Sequence, residues 1–261
     1  MTHETEYHDT MVRMLELIWG RGYMAPGGPG NVAKILVGIE TRGKRILDIG
    51  CGIGGPALEM ANRHGAEVVG IDLEEPLVQR AQRAAEARGL EGRCRFQVVE
   101  PGPLPFEDET FDAVVSSGAV TQTPDKAALF AEVYRVLRPG GWMSCYEWLG
   151  TGHDDSEDML YWIELEGLTY EMRTMQEYES LLSDAEFNAV SVTDATDWYK
   201  DEARREYDRI KGELYPEMVA SLGRGDADHF VENWRAMIVV LDKGEMKQAY
   251  LRGRRPGGLF G

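Results

Sequence analysis

The chain has 261 residues, 43% of them hydrophobic, enough for one large domain with a full core and too many for global disorder. Its formal net charge of -17 sets a repulsive field against phosphate-rich polymers, which makes nucleic acid a poor partner. No apolar run reaches the length of a membrane span, and the opening MTHETEYHDT lacks the basic and apolar regions of a secretory leader, so a cytoplasmic protein without membrane insertion is expected.

In chain order, YHDTMVRMLELIWGRGY spaces Met11, Met14, Leu15, Leu17 and Ile18 for a short amphipathic helix. A Gly/Pro loop over 24–31 follows, then a second helix over 32–40. From Arg45 the pattern alternates, with strands over 45–49, 67–72, 93–99, 111–116 and 142–148. Helices fall between them at 56–64, 75–88 and 124–137, with Pro56 at a first helical position and Gly65 and Gly89 at helix ends. Strands separated by helices imply crossovers, hence an α/β fold with a doubly wound parallel sheet. After Trp148 come a polar loop over 151–158 and helices near 159–165 and 175–185. A strand-like run over 187–196 follows, then helices over 200–222 and 226–243, and a last extended run over 246–254. The expected division is an N-terminal helical lid (1–44), a core (45–150), and a helical cap with the last two strands (151–261). Cys51, Cys94 and Cys145 are isolated, without metal-ligand spacing, and read as reduced structural thiols; no metal site is expected.

The segment RILDIGCGIGGPALEMANRHG holds Gly50, Gly52 and Gly55 as G-x-G-x-x-G, with Gly54 in the same turn. A glycine turn after the first strand serves both nicotinamide dinucleotides and S-adenosylmethionine. Asp48, two residues before Gly50, discriminates between them. A pyrophosphate would lie against this turn and the next helix N-terminus, where the carboxylate opposes it. S-adenosylmethionine brings an ammonium and a sulfonium instead. Asp72 ends EVVGID, where a carboxylate can accept ribose hydroxyls, and Glu100 ends RFQVVE, within reach of an adenine amino group. All three fall at the carboxyl ends of strands, where open parallel sheets bind ligands.

In order and at normal spacing over about 45–148, ILDIGCGIGG, GID, LPFEDETFDAV and RVLRPGG resemble the class I S-adenosylmethionine-dependent methyltransferases. The resemblance implies a Rossmann-like sheet, S-adenosylmethionine as cofactor and a small-molecule acceptor. It implies cofactor contacts from Asp48, Gly50, Gly52, Gly54, Asp72, Leu73, Glu100, Pro101 and Ser117. YHDTMVRMLELIWGRGYMAPGG resembles the lid of the phosphoethanolamine and sarcosine/dimethylglycine N-methyltransferases, and DWYKDEARREYDRI and FVENWRAM resemble their cap. By that likeness Tyr7 closes over the sulfonium, and Tyr23, Met24 and Ala25 line the cofactor. Those enzymes carry a histidine in a D-A-x-x-H segment after the fourth strand. Here GAVTQT puts Gln122 in its place and Gly118 in place of the acid, and Gln cannot remove a proton at neutral pH. Leu168, Met237 and Val239 fall near the positions of their phosphate-gripping basic residues.

A second likeness is GGWMSCYEWLGTGHDD, which resembles the Y-E-W segment of sterol C-methyltransferases and implies Glu147 beside the reacting centre. Catalytic roles are therefore expected of Glu147, Tyr7 and Gln122. Trp19, Trp148, Tyr170 and Trp234 are expected to touch the acceptor, since aromatic faces suit a cationic product. The expected activity is N-methylation of a small amine. Two alternatives stay open: C-methylation of an isoprenoid or sterol-like alkene, and use of the fold as a cyclase or non-catalytic cofactor binder. The oligomeric state is not fixed by the sequence.

Overall fold

The computed structural model describes residues 7–257. Strands β1 (Arg45–Ile49), β2 (Glu67–Asp72), β3 (Cys94–Val98), β4 (Phe111–Ser117) and β5 (Leu137–Leu149) run parallel, in the order β3-β2-β1-β4-β5. The sheet continues through β7 (Lys247–Arg254), antiparallel to both its neighbours, to β6 (Asn188–Asp194) at the edge. The central strands are apolar almost throughout because helices cover both faces.

On one face α2 (Gly28–Ile35), α3 (Gly55–Arg63) and α4 (Glu75–Glu86) bury Val32, Leu58 and Val78 against Ile46, Val68 and Val115. On the other, α5 (Lys126–Val136) and α7 (Met175–Asp184) bury Phe130, Val133 and Tyr178 against Leu47, Val114 and Leu251. A third cluster lies beyond the sheet. There α1 (Asp9–Trp19) packs with α6 (Glu157–Glu166), α8 (Thr196–Lys211), α9 (Tyr215–Leu222) and α10 (Arg224–Lys243) through Met14, Trp162, Tyr199, Met218 and Trp234. The cap is thus inserted in two pieces, one after β5 and one between β6 and β7. A reciprocal capping box, Thr174 with Glu177, opens α7 and satisfies two otherwise orphaned amides.

Three elements differ from expectation. The second helix spans Gly28–Ile35 rather than 32–40, because Gly27 takes the left-handed N-cap (φ 84°) and Pro29 presets the first turn. The helix expected over 200–222 is two helices. Gly212 leaves helical geometry (φ -117°, ψ -101°), and Pro216 opens a new first turn in α9. Strand β5 begins at Leu137, before the glycines: Phe111 pairs with Leu137 and Ala113 with Trp142, so Pro139–Gly141 form a bulge. Among the described residues no helix is long and apolar enough to cross a membrane.

Candidate active site

The glycine turn between β1 and α3 is fixed by backbone bonds to the next strand. Gly50 and Cys51 N–H both donate to the Ile71 carbonyl, at 2.9 and 3.0 Å. A Cβ at Gly50, whose φ is 69°, would stand 2.1 Å from that of Ala119, so the turn packs directly on the loop after β4. A Cβ at Gly55 would stand 2.1 Å from the Gly22 carbonyl oxygen; only glycine lets the lid backbone lie on the start of α3. Gly52 N–H donates to Asp72 Oδ2 (2.8 Å) and Glu74 N–H to Asp72 Oδ1 (3.1 Å), which orients the carboxylate at the end of β2.

Asp48 is 2% exposed and its Oδ2 makes no hydrogen bond. Burial, and then the nearby Asp72 charge, push its carboxyl up to about 8. A buried carboxyl with an unmet oxygen beside a second acid calls for a cation. These residues fit S-adenosylmethionine: Asp48 for the ammonium, Asp72 for ribose hydroxyls through its remaining lone pairs. They do not fit a pyrophosphate, which would meet two acids. Leu73 is exposed just past β2, and Glu100 and Pro101 are exposed on the connection after β3, on the same edge of the sheet.

The lid crosses this edge. Tyr7 N–H donates to Glu74 Oε1 (3.3 Å) and its hydroxyl to Gln122 Oε1 (3.2 Å). Val12 packs with Ile53 and Leu77, and Tyr7 and Met24 pack on that cluster. The Met24 sulfur lies 3.0 Å from where a Cβ of Gly52 would stand, and Tyr23 is buried in the core below. Ala25 and the Trp148 indole nitrogen both border Gly118, at 4.0 and 3.8 Å from the place of its Cβ. Asn31 joins this edge from below, donating to Ser117 Oγ (3.5 Å) and accepting from the Tyr250 hydroxyl (2.7 Å). The structure therefore gathers Tyr7, Gln122, Met24, Ala25, Ser117 and Trp148 around one cleft.

Beside Gly118, Trp148 begins an aromatic cluster that extends into the cap. Trp148 stacks on Trp162 (5.7 Å, 9°) and Tyr170 (6.4 Å, 20°), with Tyr199 edge-on to it. Leu168 and Met237 are buried. Trp19 and Trp234, expected to touch the acceptor, share a partner that the sequence did not announce. Both indole N–H groups donate to Glu206, at 2.7 and 3.1 Å, so the two residues join the lid to the cap. Burial pushes Glu206 up to about 7 against these two bonds.

Glu147 also departs from expectation. Strand alternation turns Tyr146 and Trp148 toward the lid and cap, but turns Glu147 with Leu149 and Ala249 toward α5 and α7. It is fully buried, and its two oxygens accept from Val120 N–H (3.3 Å) and Thr121 N–H (3.0 Å). Burial raises its carboxyl to about 7, opposed by those amides. Glu147 thus holds the 3-10 turn Val120–Gln122 rather than facing a reacting centre. Glu74, Asn31 and Glu206 escaped sequence reading. The Trp19–Glu206 pair is 187 residues apart, and no local spacing announces it.

A parallel sheet ending in a glycine turn flanked by two acids, with an antiparallel penultimate strand and a helical lid, is an arrangement similar to that of the class I S-adenosylmethionine-dependent methyltransferases. Residues 46–141 match the methyltransferase domain family. Over 251 residues the chain is 28% identical to phosphoethanolamine N-methyltransferase 3 of Arabidopsis thaliana, covering 96% of this chain and 50% of that protein. It is 34% identical over 216 residues to cycloartenol-C-24-methyltransferase 1 of Oryza sativa subsp. japonica, covering 74% and 62% of the two. The solved structure of Haemonchus contortus phosphoethanolamine N-methyltransferase 2 with phosphomonomethylethanolamine and S-adenosylhomocysteine superposes with a TM-score of 0.90. Its identity is 25%, over 97% of this chain and 59% of that one. The chain spans about half the length of the phosphoethanolamine methyltransferases it matches.

Proposed function

We propose that the protein is an S-adenosylmethionine-dependent methyltransferase that methylates the nitrogen of a small amine carrying no phosphate. The observation that carries this reading is the buried Asp48 with its unmet oxygen, beside Asp72, at the edge where the Tyr7–Gln122 bond fastens the lid. Likeness to N-methyltransferases over nearly the whole chain supports the amine. When bound, the cofactor supplies a methyl group activated on sulfonium.

The residues of this chain do the rest. Asp48, Asp72 and the glycine turn bind; Leu73, Glu100 and Pro101 lie along the same edge. The lid excludes water, and alignment with desolvation can lower the barrier by roughly 7–11 kcal/mol. A neutral amine needs no strong base, so the absence of a proton-removing side chain at Gln122 is compatible with the reaction. Gln122 Oε1 accepts a hydrogen bond from the Tyr7 hydroxyl, which turns the phenolic lone pairs toward an N–H of the methyl acceptor. The Trp148 and Tyr170 faces stabilise the cationic product by about 0.5–2 kcal/mol each. Apolar Leu168 and Met237 in the cap leave a phosphate without a counter-charge.

The apolar wall also suits an isoprenoid alkene, but that chemistry requires loss of a proton to a base, and Glu147 faces away from the cleft. A cyclase or binding-only role requires no methyl transfer. We place the protein in the cytoplasm, consistent with its three isolated, reduced, buried cysteines, and without nucleic-acid partners, consistent with its charge. The deciding experiment is calorimetry with S-adenosylmethionine and a nicotinamide dinucleotide. It is followed by mass spectrometry of products from a panel of amines, phosphoethanolamine and prenyl diphosphates. Methylated non-phosphorylated amines are expected; methyl transfer only to an alkene, or cofactor binding with no transfer at all, refutes the amine reading.

A further inference from the structure

Lys126 is 3% exposed, and among the described residues it is the one buried lysine or arginine. It is also the first residue of α5, where the helix dipole repels a cation. Burial and position both disfavour the charge, so what holds it there needs an explanation. Its ammonium donates to two carbonyls, Thr121 O at 3.3 Å and Thr123 O at 2.7 Å. These belong to the turn whose amides, Val120 and Thr121 N–H, are taken by Glu147. The acid sits at the amide end of the 3-10 turn and the base at its carbonyl end, the polarity a short helix favours.

Other bonds fix the same turn. Thr121 Oγ1 donates to the Trp148 carbonyl (3.1 Å), and Glu171 N–H from the cap donates to the Thr121 carbonyl (2.9 Å). The turn's last residue is Gln122, whose Oε1 receives the Tyr7 hydroxyl. Every polar group gripping the turn therefore also fixes where the lid can close.

We propose that Lys126, with Glu147, is a positioning residue for the transfer reaction: the two grip opposite ends of the turn Val120–Gln122 and so set Gln122 against Tyr7. The kinetic part of this assignment rests on the methyltransferase reading above; the conformational part does not. Lys126 acts through Gln122, on closure and alignment, and makes no bond to the glycine turn, whose first two amides are held by the Ile71 carbonyl.

The test is a double-mutant cycle of Lys126→Met and Gln122→Ala, with an amine taken from the product screen. Lys126→Met keeps the aliphatic stem and removes the donor. It is expected to lower kcat by about 2- to 10-fold, the worth of the one hydrogen bond it positions, with the Kd for S-adenosylmethionine within about twofold of the parent. In the Gln122→Ala background it is expected to add almost nothing, because the two losses are one loss. Multiplying losses, or a Kd change that accounts for the rate, overturn the proposal.

A second arm needs no activity. Hydrogen exchange of the cofactor-free protein, read by mass spectrometry, is expected to quicken several-fold in 118–123 and in α1 when Lys126 is Met. The 50–55 turn is expected to keep parental protection. Unchanged exchange in α1, or uniform loosening of the whole chain, overturns the proposal. If Lys126→Met does not fold, Glu147→Gln, which leaves one of the two turn amides without its acceptor, loosens the turn from the other end and must give the same exchange pattern. A protein that transfers no methyl group would refute the amine reading while the exchange arm still decides this one.

Discussion

At the ends of β1 and β2 the polar groups of the cleft are held by neighbours close in the chain. Gly52 and Glu74 amides orient Asp72, and Ile71 receives two amides of the glycine turn. In the cap the polar groups are held by partners from distant segments. Trp19 and Trp234 meet on Glu206, and Tyr7 meets Gln122. The first wall is built by backbone and is insensitive to most side-chain changes. The second is built by side chains, so its shape can be altered one residue at a time. A fold that keeps one methyl donor while changing acceptors needs this asymmetry.

The largest effect should come from breaking the backbone wall. Gly50→Ala meets the Ala119 Cβ in a left-handed conformation, which costs about 1–2 kcal/mol for the backbone and about 1–3 for overpacking. Denaturant titration should show the summed loss of stability; a loss under about 0.5 kcal/mol would mean the turn does not set this wall.

Next comes a pH effect at Asp48. A carboxyl held near 8 is protonated below that pH, and binding a cation expels the proton. Affinity for S-adenosylmethionine should therefore rise by up to about tenfold per pH unit from about pH 6 to about pH 8. In the free protein the same group lowers stability as pH rises through that range, since ionisation is penalised only in the folded state. Asp48→Asn should flatten both curves, measured by calorimetry and thermal melts.

Asp72→Ala strands two amides and removes a charge-assisted partner, for on the order of 1.5–3 kcal/mol in cofactor affinity. On the cap wall, Glu206→Gln leaves one indole donor poorly paired and should cost about 1–3 kcal/mol of stability. Because burial raises the folded Glu206 carboxyl to about 7, its ionisation penalises the parent as pH climbs. The variant's deficit should be largest near pH 5 and shrink by pH 8. The smallest effect is that of Tyr7→Phe, about 0.5–1.5 kcal/mol for one hydrogen bond. Steady-state kinetics should place it in kcat more than in cofactor affinity; equal losses would demote the hydroxyl to lid packing.

The wall at the ends of β1 and β2 was legible because its signals are local. Gly50, Asp48 and Asp72 can be placed from strand ends and turn chemistry, and the structure puts them together at one edge. The limits were equally physical. Glu147 follows Tyr146 on a strand, and a position one residue along points to the opposite face, so its side could not be known before the register was. Composition shows the Trp19 and Trp234 rings but not Glu206, the partner that their N–H groups share. Gly212 hid inside an otherwise helical pattern.

The order of residues suffices for the alternation of strands and helices, the glycine turn and the acids at the strand ends. Hydrophobic period, glycine conformation and charge act over a few residues and need no fold to be read. Packing in three dimensions was needed to show that Glu147 and Lys126 grip one turn, that Glu206 ties the lid to the cap, and that Tyr7 meets Gln122. The reason is burial. An acid's task depends on which amides, indoles or cations share its low-dielectric surroundings, and those come from segments brought together by the packing of the whole chain.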